Sequence, residues 1–225
     1  MNHTLTIFPI SENAVCISGP AIISIEFHKS LLALCFALRE KHFAEIDQIA
    51  PAYHTITITL RPKISSLQFT EILSTWISQN TGFDINKPGP SESDTIVEIP
   101  VRYGGKWGPD LDALAEAKGL SVRDVIDLHT SAVYYVYMIG FTAGFPYLGG
   151  LPDQLHFPRR TVPRIRVPAG SVGIGGEQTG VYPHEAPGGW NIIGQTDMIL
   201  FDVHHDPPAR LKPGDYVRFV EVTHD

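Results

Sequence analysis

The sequence predicts two domains: an α+β domain over residues 1–90 and an all-β domain, built as a barrel or a sandwich, over residues 91–225. The first part shows apolar patterns of both strand and helix period. The second part contains many short strands at turn spacings of roughly 8–12 residues. Between them, the polar segment KPGPSESD at residues 87–94 contains two prolines and one glycine. Such a composition is typical of a domain boundary.

Strands of the first domain are predicted from period-two alternation. Residues 53–60 (YHTITITL) place aliphatic side chains on one face and threonines on the other, which is the pattern of a half-buried strand. Shorter strands are predicted at residues 5–10, 14–18 and 22–27.

Two helices complete the predicted first domain. Apolar side chains at helical spacing predict the first helix over residues 28–49, with Pro51 ending it. Ser65 and Gln68 form a capping box that predicts the start of the second helix. Strands combined with two helices indicate a sheet that is covered on one side.

The second domain is predicted to begin with a strand at residues 95–101 and two short helices. Pro109 and Gly119 are typical of the start and the end of a helix, and Ser121 with Asp124 caps the helix that follows. This pair resembles a DNA-binding helix-turn-helix. A single arginine stands against two aspartates in its second helix, however, so we expect a helical hairpin packed on a sheet.

The remaining strands are predicted from apolar runs. Residues 132–140 are apolar on both faces, so this strand is expected to lie centrally in its sheet. Residues 198–203 and 216–222 are predicted as closing strands, with a turn at KPGD, residues 212–215, before the last one.

Composition limits the class of protein. A net charge of −7 does not supply the basic surface that nucleic-acid binding requires. No apolar run is long enough to span a membrane, and the amino-terminal residues lack the pattern of a secretory signal. Cys16 and Cys35 lie in apolar surroundings, which predicts buried and reduced thiols. We therefore expect a soluble cytoplasmic protein.

The most distinctive segment of the chain spans residues 140–196. It contains twelve of the twenty glycines and seven prolines, interleaved with aromatic side chains. Glycine and proline exclude a helix, and the aromatic content excludes a flexible linker. Short strands and tight turns remain, with backbone closely approached by other groups, and surfaces made of such turns often carry sites.

The glycine run in this segment resembles a phosphate-binding loop, but its context differs. Gly173, Gly175 and Gly176 are followed by further glycine and proline rather than by a helix, which excludes a Rossmann or P-loop site. A non-helical nest of backbone N–H groups that holds an anion remains open. Gln178 and Thr179 add neutral polar groups beside it.

Charged side chains in the segment form two groups. The densest basic cluster of this acidic chain either binds an anionic substrate or partner or forms a solvated strand edge. It comprises Arg159, Arg160, Arg164 and Arg166. His184 and Glu185 either act together in proton transfer or occupy a surface turn.

No metal site or catalytic triad is predicted. His204 and His205 lie beside two prolines in a predicted structural loop, without a second histidine pair at metal-ligand spacing. No Ser/His/Asp or Cys/His arrangement is visible, and no nucleophile stands out.

Three motifs in residues 140–196 resemble one protein family. GFTAGFPYLGGLP, PRIRVPAGSVGIGGEQTGVYPHEAPGGW and NIIGQT are similar to the signature of the B subunit of bacterial 5-oxoprolinase, formerly described as the sporulation kinase A inhibitor. The same family includes allophanate hydrolase subunit 1 and one half of the carboxyltransferase domain of urea carboxylase. The resemblance is specific over residues 99–219 and weaker over residues 1–90.

The resemblance implies a fold, a reaction and partners. The implied fold is an α+β N-terminal domain followed by a cyclophilin-like β-barrel. The chain would be one subunit, inactive alone, of an ATP-dependent 5-oxoprolinase that opens 5-oxo-L-proline to L-glutamate. Its partners would be the other two components of that enzyme, a carboxyltransferase-like C subunit and an A subunit. ATP would be shared with these partners, with Mg²⁺ accompanying the nucleotide.

The implied reaction suggests roles for the polar residues of the segment. Arg164 and Arg166 are predicted to hold a carboxylate or phosphoryl group. His184 or Glu185 is predicted to move a proton. Further donors to the anion are predicted from Gly173, Gly175, Gly176, Gln178 and Thr179. The lack of a self-contained catalytic set fits a site that is completed by a partner protein.

Two other functions are compatible with the family. One is a non-catalytic inhibitor that docks on a sporulation histidine kinase through the aromatic loops of the barrel. The other is a fragment of a biotin-dependent carboxyltransferase, which is disfavoured because the sequence shows neither a biotinyl domain nor the second half.

Overall fold

The computed structural model describes residues 4–79 and 96–222. The chain forms two compact units, Met1–Ser91 and Glu92–Asp225. Each unit has its own hydrophobic core. The predicted boundary segment at residues 87–94 lies outside the described residues.

The N-terminal unit is an antiparallel sheet with two helices. Its described elements are β1 (Thr6–Ser11), β2 (Ala14–Ser18), α1 (Ile25–Glu40), β3 (Ile46–Ala52), β4 (Thr55–Leu60) and α2 (Ser66–Gln79). The sheet order is β1-β2-β4-β3. In β4 the side chains of Ile56, Ile58 and Leu60 are buried and join both helices in one core, which confirms a sheet covered on one face.

The strand predicted at residues 22–27 is wrong because α1 begins within it. Ser24 is the N-cap of this helix, and its hydroxyl accepts a hydrogen bond from the backbone N–H of Phe27 at 3.3 Å. Serine at this position satisfies one of the free donors of the first turn. The apolar run therefore starts a helix instead of extending as a strand.

The helix predicted over residues 28–49 is also wrong in its second half. α1 ends at Glu40, and the chain then enters β3. A register shift between Ile46 and Gln48 adds a residue to β3, so Ile46 and Ile49 both pack against the core although they lie three positions apart. That spacing is the one that a helix would show. Pro51 lies inside β3, where an edge strand accommodates its missing N–H.

The C-terminal unit is a closed barrel, one of the two all-β architectures that the strand spacing predicts and the one that the family resemblance implies. Its strands are β5 (Ile96–Tyr103), β6 (Tyr134–Ile139), β7 (Pro146–Gly149), β9 (Ser171–Gly175), β10 (Gln178–Val181), β12 (Asn191–Gln195) and β13 (Tyr216–Glu221). Within residues 96–222 they close in the order β10-β7-β6-β13-β5-β12-β9. β13 runs parallel to β5, and the other neighbouring strands are antiparallel. β8 (Arg164–Val167) and β11 (Ala186–Gly188) form a separate antiparallel pair.

Two helices of this unit confirm the capping predictions. α3 (Leu111–Lys118) ends at Gly119, whose φ of 67° is left-handed. α4 (Val122–Ser131) begins with a complete capping box, in which Ser121 and Asp124 each accept from the other's backbone N–H. A short 3₁₀ turn follows later, at Asp153–Leu155.

Two strands of the barrel unit were predicted from apolar runs, and the structure confirms one of them. β6 lies between β7 and β13 and is buried on both faces over residues 134–137, which confirms its predicted central position. The strand predicted at residues 198–203 is wrong. Leu200 is buried, but Ile199 is exposed, and Phe201 makes only an isolated bridge to Ala209. Without a neighbouring strand, the apolar run stays irregular.

Candidate functional site

A buried carboxylate at the start of α3 binds the arginine-rich segment. Arg164 donates to Asp110 through two parallel contacts, Nη1 to Oδ2 at 2.8 Å and Nη2 to Oδ1 at 2.7 Å. Arg160 Nη1 donates to Oδ1 at 3.0 Å, and the backbone N–H of Ile192 donates to Oδ2 at 2.6 Å. These contacts use all the acceptor positions of the carboxylate, and the paired contact with Arg164 is the strongest geometry for such a pair.

Backbone hydrogen bonds hold Asp110 in this position. Its N–H donates to the carbonyl of Ile192 at 2.9 Å, and the N–H of Gly104 donates to the carbonyl of Ile193 at 3.1 Å. A Cβ on Gly108 would lie 2.0 Å from the Ile193 oxygen, so only glycine permits this approach. The loop before α3 is therefore fixed against β12.

Arg159 extends the basic surface next to this cluster. Its guanidinium lies 5.7 Å from the ring centroid of Trp190, a cation–π arrangement. Trp190 is buried in an aromatic cluster with Phe145 and Tyr182. The Phe145 centroid lies 5.3 Å from that of Trp190 and 5.1 Å from that of Tyr182. Arg159 thus rests on a well-packed aromatic support.

The predicted catalytic residues lie in an exposed region. Arg166 on β8 donates from Nε and Nη2 to Glu185 Oε1 at 2.8 and 2.7 Å. The side chains of Arg166 and Glu185 are 74% and 50% exposed, whereas that of Asp110 is 10% exposed. His184 is exposed, and its ring meets that of Phe201 edge-on at 5.6 Å. The structure brings Arg166 and Glu185 into contact, and their functional roles, like that of His184, stay predictions.

The predicted anion-binding glycines lie in or next to the barrel wall. Gly173 and Gly175 belong to β9, which pairs with both β10 and β12. Gly176 donates its N–H to the carbonyl of Phe157 at 2.7 Å. A Cβ on Gly175 would lie 2.8 Å from the ring of Trp190, so glycine here permits close packing of that ring. An anion-binding role for these residues stays a prediction.

Thr179 belongs to a chain of hydrogen bonds inside the barrel. Its hydroxyl donates to the carbonyl of Gly173 at 3.1 Å, so it accepts from His129 Nε2 at 3.0 Å. His129 Nδ1 then accepts from the hydroxyl of Tyr103 at 2.7 Å. These roles specify a neutral imidazole with its proton on Nε2. Gln178 lies opposite Gly175 at the start of β10.

Complete burial keeps His129 neutral. Its ring stacks on that of Phe219 with centroids 4.4 Å apart, and burial lowers the pKa of His129 to about 3. Burial also raises the pKa of Tyr103 well above its ordinary value. The chain of hydrogen bonds is therefore uncharged near neutral pH, and we assign it a role in barrel stability.

Sequence reasoning did not identify Asp110 or His129 as key polar residues. Acidic residues are common at the start of a helix because the helix dipole favours negative charge there. The position of Asp110 in the sequence therefore did not indicate a further role. His129 lies four residues after the buried Val125 on the apolar face of α4. That spacing was the available signal for a buried histidine.

Within residues 4–79 and 96–222, no helix is long and apolar enough to cross a membrane. The same residues contain no group of three or more His, Cys, Asp or Glu side chains that is arranged to hold a metal ion. Cys16 and Cys35 are buried free thiols, as predicted, and burial raises the pKa of Cys35 to about 12.

Fold and motifs together match one family of domains. The family model described as carboxyltransferase domain, subdomain C and D, matches residues 5–211. The chain therefore belongs to this family.

Relatives of the chain include proteins that are named as the B subunit of 5-oxoprolinase. The protein from Escherichia coli O157:H7 is 44% identical over 212 residues, which cover 94% of this chain and 93% of the relative. The protein from Haemophilus influenzae is 39% identical over 222 residues, covering 96% and 97%. These matches confirm the family resemblance of the three motifs.

Solved structures share the fold over nearly the whole chain. TTHA0988 matches with a TM-score of 0.77 and 34% identity, covering 99% of this chain and 41% of that protein, so this chain spans less than half of its length. The urea amidolyase of K. lactis has a TM-score of 0.77 at 18% identity, covering 99% of this chain and 15% of that protein. The likeness to the urea amidolyase is one of fold alone.

Proposed function

We propose that this chain is one subunit of a 5-oxoprolinase complex, a hydrolase that opens the cyclic amide of 5-oxo-L-proline to L-glutamate with hydrolysis of ATP. The observation that carries the proposal is the 44% identity, over 94% of the chain, to a protein named as the B subunit of 5-oxoprolinase. The proposed partners are a carboxyltransferase-like C subunit and an A subunit. In this proposal the chain is inactive alone.

The reaction requires activation of a stable lactam before water can open it. In the proposed sequence, the lactam carbonyl oxygen takes the γ-phosphoryl group of ATP, and water then adds to the carbonyl carbon. The ring C–N bond breaks, and the nitrogen takes a proton to become the amine. A second water releases phosphate from the resulting acyl phosphate. ATP with Mg²⁺ is thus a co-substrate, bound at a site shared with the partner subunits.

The proposed contribution of this chain is positioning and proton transfer. His184 and Glu185 are exposed, which supports a role for them in a site that is completed by a partner protein. Arg166 contacts Glu185 and is proposed to orient it. Arg164 is proposed to act with Asp110 as a positioning pair that holds the arginine-rich segment.

Reconstitution tests the proposed reaction. The chain is mixed with its candidate partner subunits, 5-oxo-L-proline, ATP and Mg²⁺, and glutamate release is measured. We expect glutamate only when all subunits and ATP are present. An equal rate of glutamate release without this chain would contradict the proposal.

A substitution at His184 tests the proton-transfer role. His184→Gln is expected to lower kcat of the complex by about 100-fold or more, because a positioned acid or base typically contributes that much. KM is expected to change little. His204→Gln, which alters another exposed histidine of the same unit, is the matched control. Equal kcat values for the two variants would remove His184 from the mechanism.

A further inference from the structure

We propose that Arg159, in place of Arg164 and Arg166, is the guanidinium that binds the anionic group of the substrate, a carboxylate or a phosphoryl group. Arg164 and Arg166, for which the sequence predicts this role, are paired with Asp110 and Glu185. In this inference, which rests on the proposed function, Trp190 and the Asp110 cluster hold Arg159 in place. Three features support it: the ion pairs of the neighbouring arginines, the cation–π contact of Arg159 with Trp190, and the hydrogen bonds of the adjacent backbone.

Three of the four arginines in this segment already have a carboxylate partner. Arg160 and Arg164 share Asp110. Arg166 is paired with Glu185. Arg159 has no carboxylate partner among residues 4–79 and 96–222, and its side chain is exposed.

The contact with Trp190 leaves the binding edge of Arg159 free. In the part of the chain that the structure describes, the guanidinium of Arg159 contacts the ring of Trp190 and has no hydrogen-bond acceptor, so its N–H donors are available. Two parallel N–H donors in that plane match the geometry of a carboxylate or phosphoryl group. The cation–π contact therefore restrains Arg159 while its N–H donors stay available to an anion.

The backbone on both sides of Arg159 is held by hydrogen bonds. The carbonyl of Pro158 accepts from the Asn191 side chain at 2.9 Å. The N–H of Arg160 donates to the carbonyl of Gly189 at 2.7 Å. Such preorganisation reduces the entropy that binding an anion would cost.

The local charge also favours an anion. Arg159, Arg160 and Arg164 supply three positive charges, and Asp110 supplies one negative charge, which leaves an excess of two in a chain of net charge −7. The contact between Arg166 and Glu185 adds no net charge. A positive surface in an acidic protein attracts small anions to this position.

Kinetics of the assembled complex test this assignment. KM for 5-oxoproline and KM for ATP are measured separately in Arg159→Gln, Arg159→Lys and Arg218→Gln. The last is the matched control for loss of one exposed arginine, since Arg218 lies on β13 and faces Glu98 at 3.9 Å. We expect Arg159→Gln to raise one KM by about 10- to 100-fold, since a charge-assisted hydrogen-bonded contact is lost. An increase for 5-oxoproline identifies a carboxylate ligand, and an increase for ATP identifies a phosphoryl ligand.

The lysine variant separates charge from geometry. Arg159→Lys is expected to restore part of the affinity, because the charge is kept and the planar fork is lost. Arg218→Gln is expected to change either KM less than about threefold, the effect of losing a surface pair. An effect of Arg218→Gln as large as that of Arg159→Gln, or no change in either KM with Arg159→Gln, would overturn the inference.

Tryptophan fluorescence gives a readout that does not depend on turnover. The full chain is titrated with 5-oxoproline and, separately, with inorganic pyrophosphate. We expect a saturating change that is lost in Trp190→Phe and weakened at least about tenfold in Arg159→Gln. No response of the unaltered chain to either anion would overturn the inference. A response that depends on Arg159, in a complex that releases no glutamate, would contradict the proposed reaction alone.

Discussion

The C-terminal unit contains two polar clusters of opposite character. The interior cluster, formed by Tyr103, His129 and Thr179, is neutral, and each of its polar atoms is bonded to another group of the barrel. The surface cluster, formed by Asp110 and its arginines, retains an excess of positive charge. Full burial removes charge because a desolvated ion is costly, whereas partial burial tolerates ions that are paired. Both clusters therefore contribute to stability, but only the second carries charge at the surface.

Acid should disrupt the interior cluster, and this is the largest expected effect. The unfolded chain protonates His129 near its ordinary pKa of 6.5, whereas the folded barrel resists protonation until about pH 3. Protons therefore favour the unfolded state, and stability falls as the pH decreases through this window. The contribution of His129 amounts to about 4 kcal/mol between pH 7 and pH 3, about half of it by pH 5. Urea denaturation across this pH range measures the loss.

A histidine variant isolates that effect. Compared with the unaltered protein, His129→Gln should flatten the dependence of the unfolding free energy on pH between 6.5 and 5. Should His129→Gln fail to fold, NMR titration of the unaltered protein provides the same information. An imidazole of His129 that titrates above about pH 5 would contradict the burial argument.

Removal of the shared carboxylate should have the next largest effect. Asp110→Ala leaves two guanidiniums and the N–H of Ile192 without their acceptor, so we expect a loss of about 3 kcal/mol in unfolding free energy. Glu185→Ala, which removes the exposed carboxylate, should cost less than about 1 kcal/mol. Chemical denaturation of both variants makes the comparison. Equal losses would show that burial does not distinguish these two acids.

Removal of a single interior hydroxyl should have the smallest effect. Thr179→Val keeps the side-chain shape but leaves His129 Nε2–H without an acceptor, so we expect a loss of about 1–2 kcal/mol. Thr142→Val is the control, since the buried hydroxyl of Thr142 has no hydrogen-bond partner in the described part of the chain. Thermal denaturation should rank Thr179→Val as the less stable variant. The reverse order would argue against the interior hydrogen-bond chain.

Local features of the fold could be predicted because their causes are local. The alternation in β4 reports its buried face directly, and the box of Ser121 and Asp124 is complete within four residues. The helix predicted over residues 28–49 failed because the register shift in β3 gives Ile46 and Ile49 the spacing of a helix. That shift arises from pairing with β4, which lies later in the chain.

The sequence alone predicts which residues make up the candidate site. Which of its charged side chains pair with one another depends on the folded structure. The arginine-rich segment, the glycines and the His184-Glu185 pair are visible in the printed chain. Asp110 and Arg164, however, lie 54 positions apart and meet only because the loop before α3 is hydrogen-bonded to β12. Electrostatic pairing depends on distance in space and on burial, and neither is encoded in the spacing of residues along a chain. The folded arrangement therefore sets which arginines are neutralised and leaves Arg159 available to bind an anion.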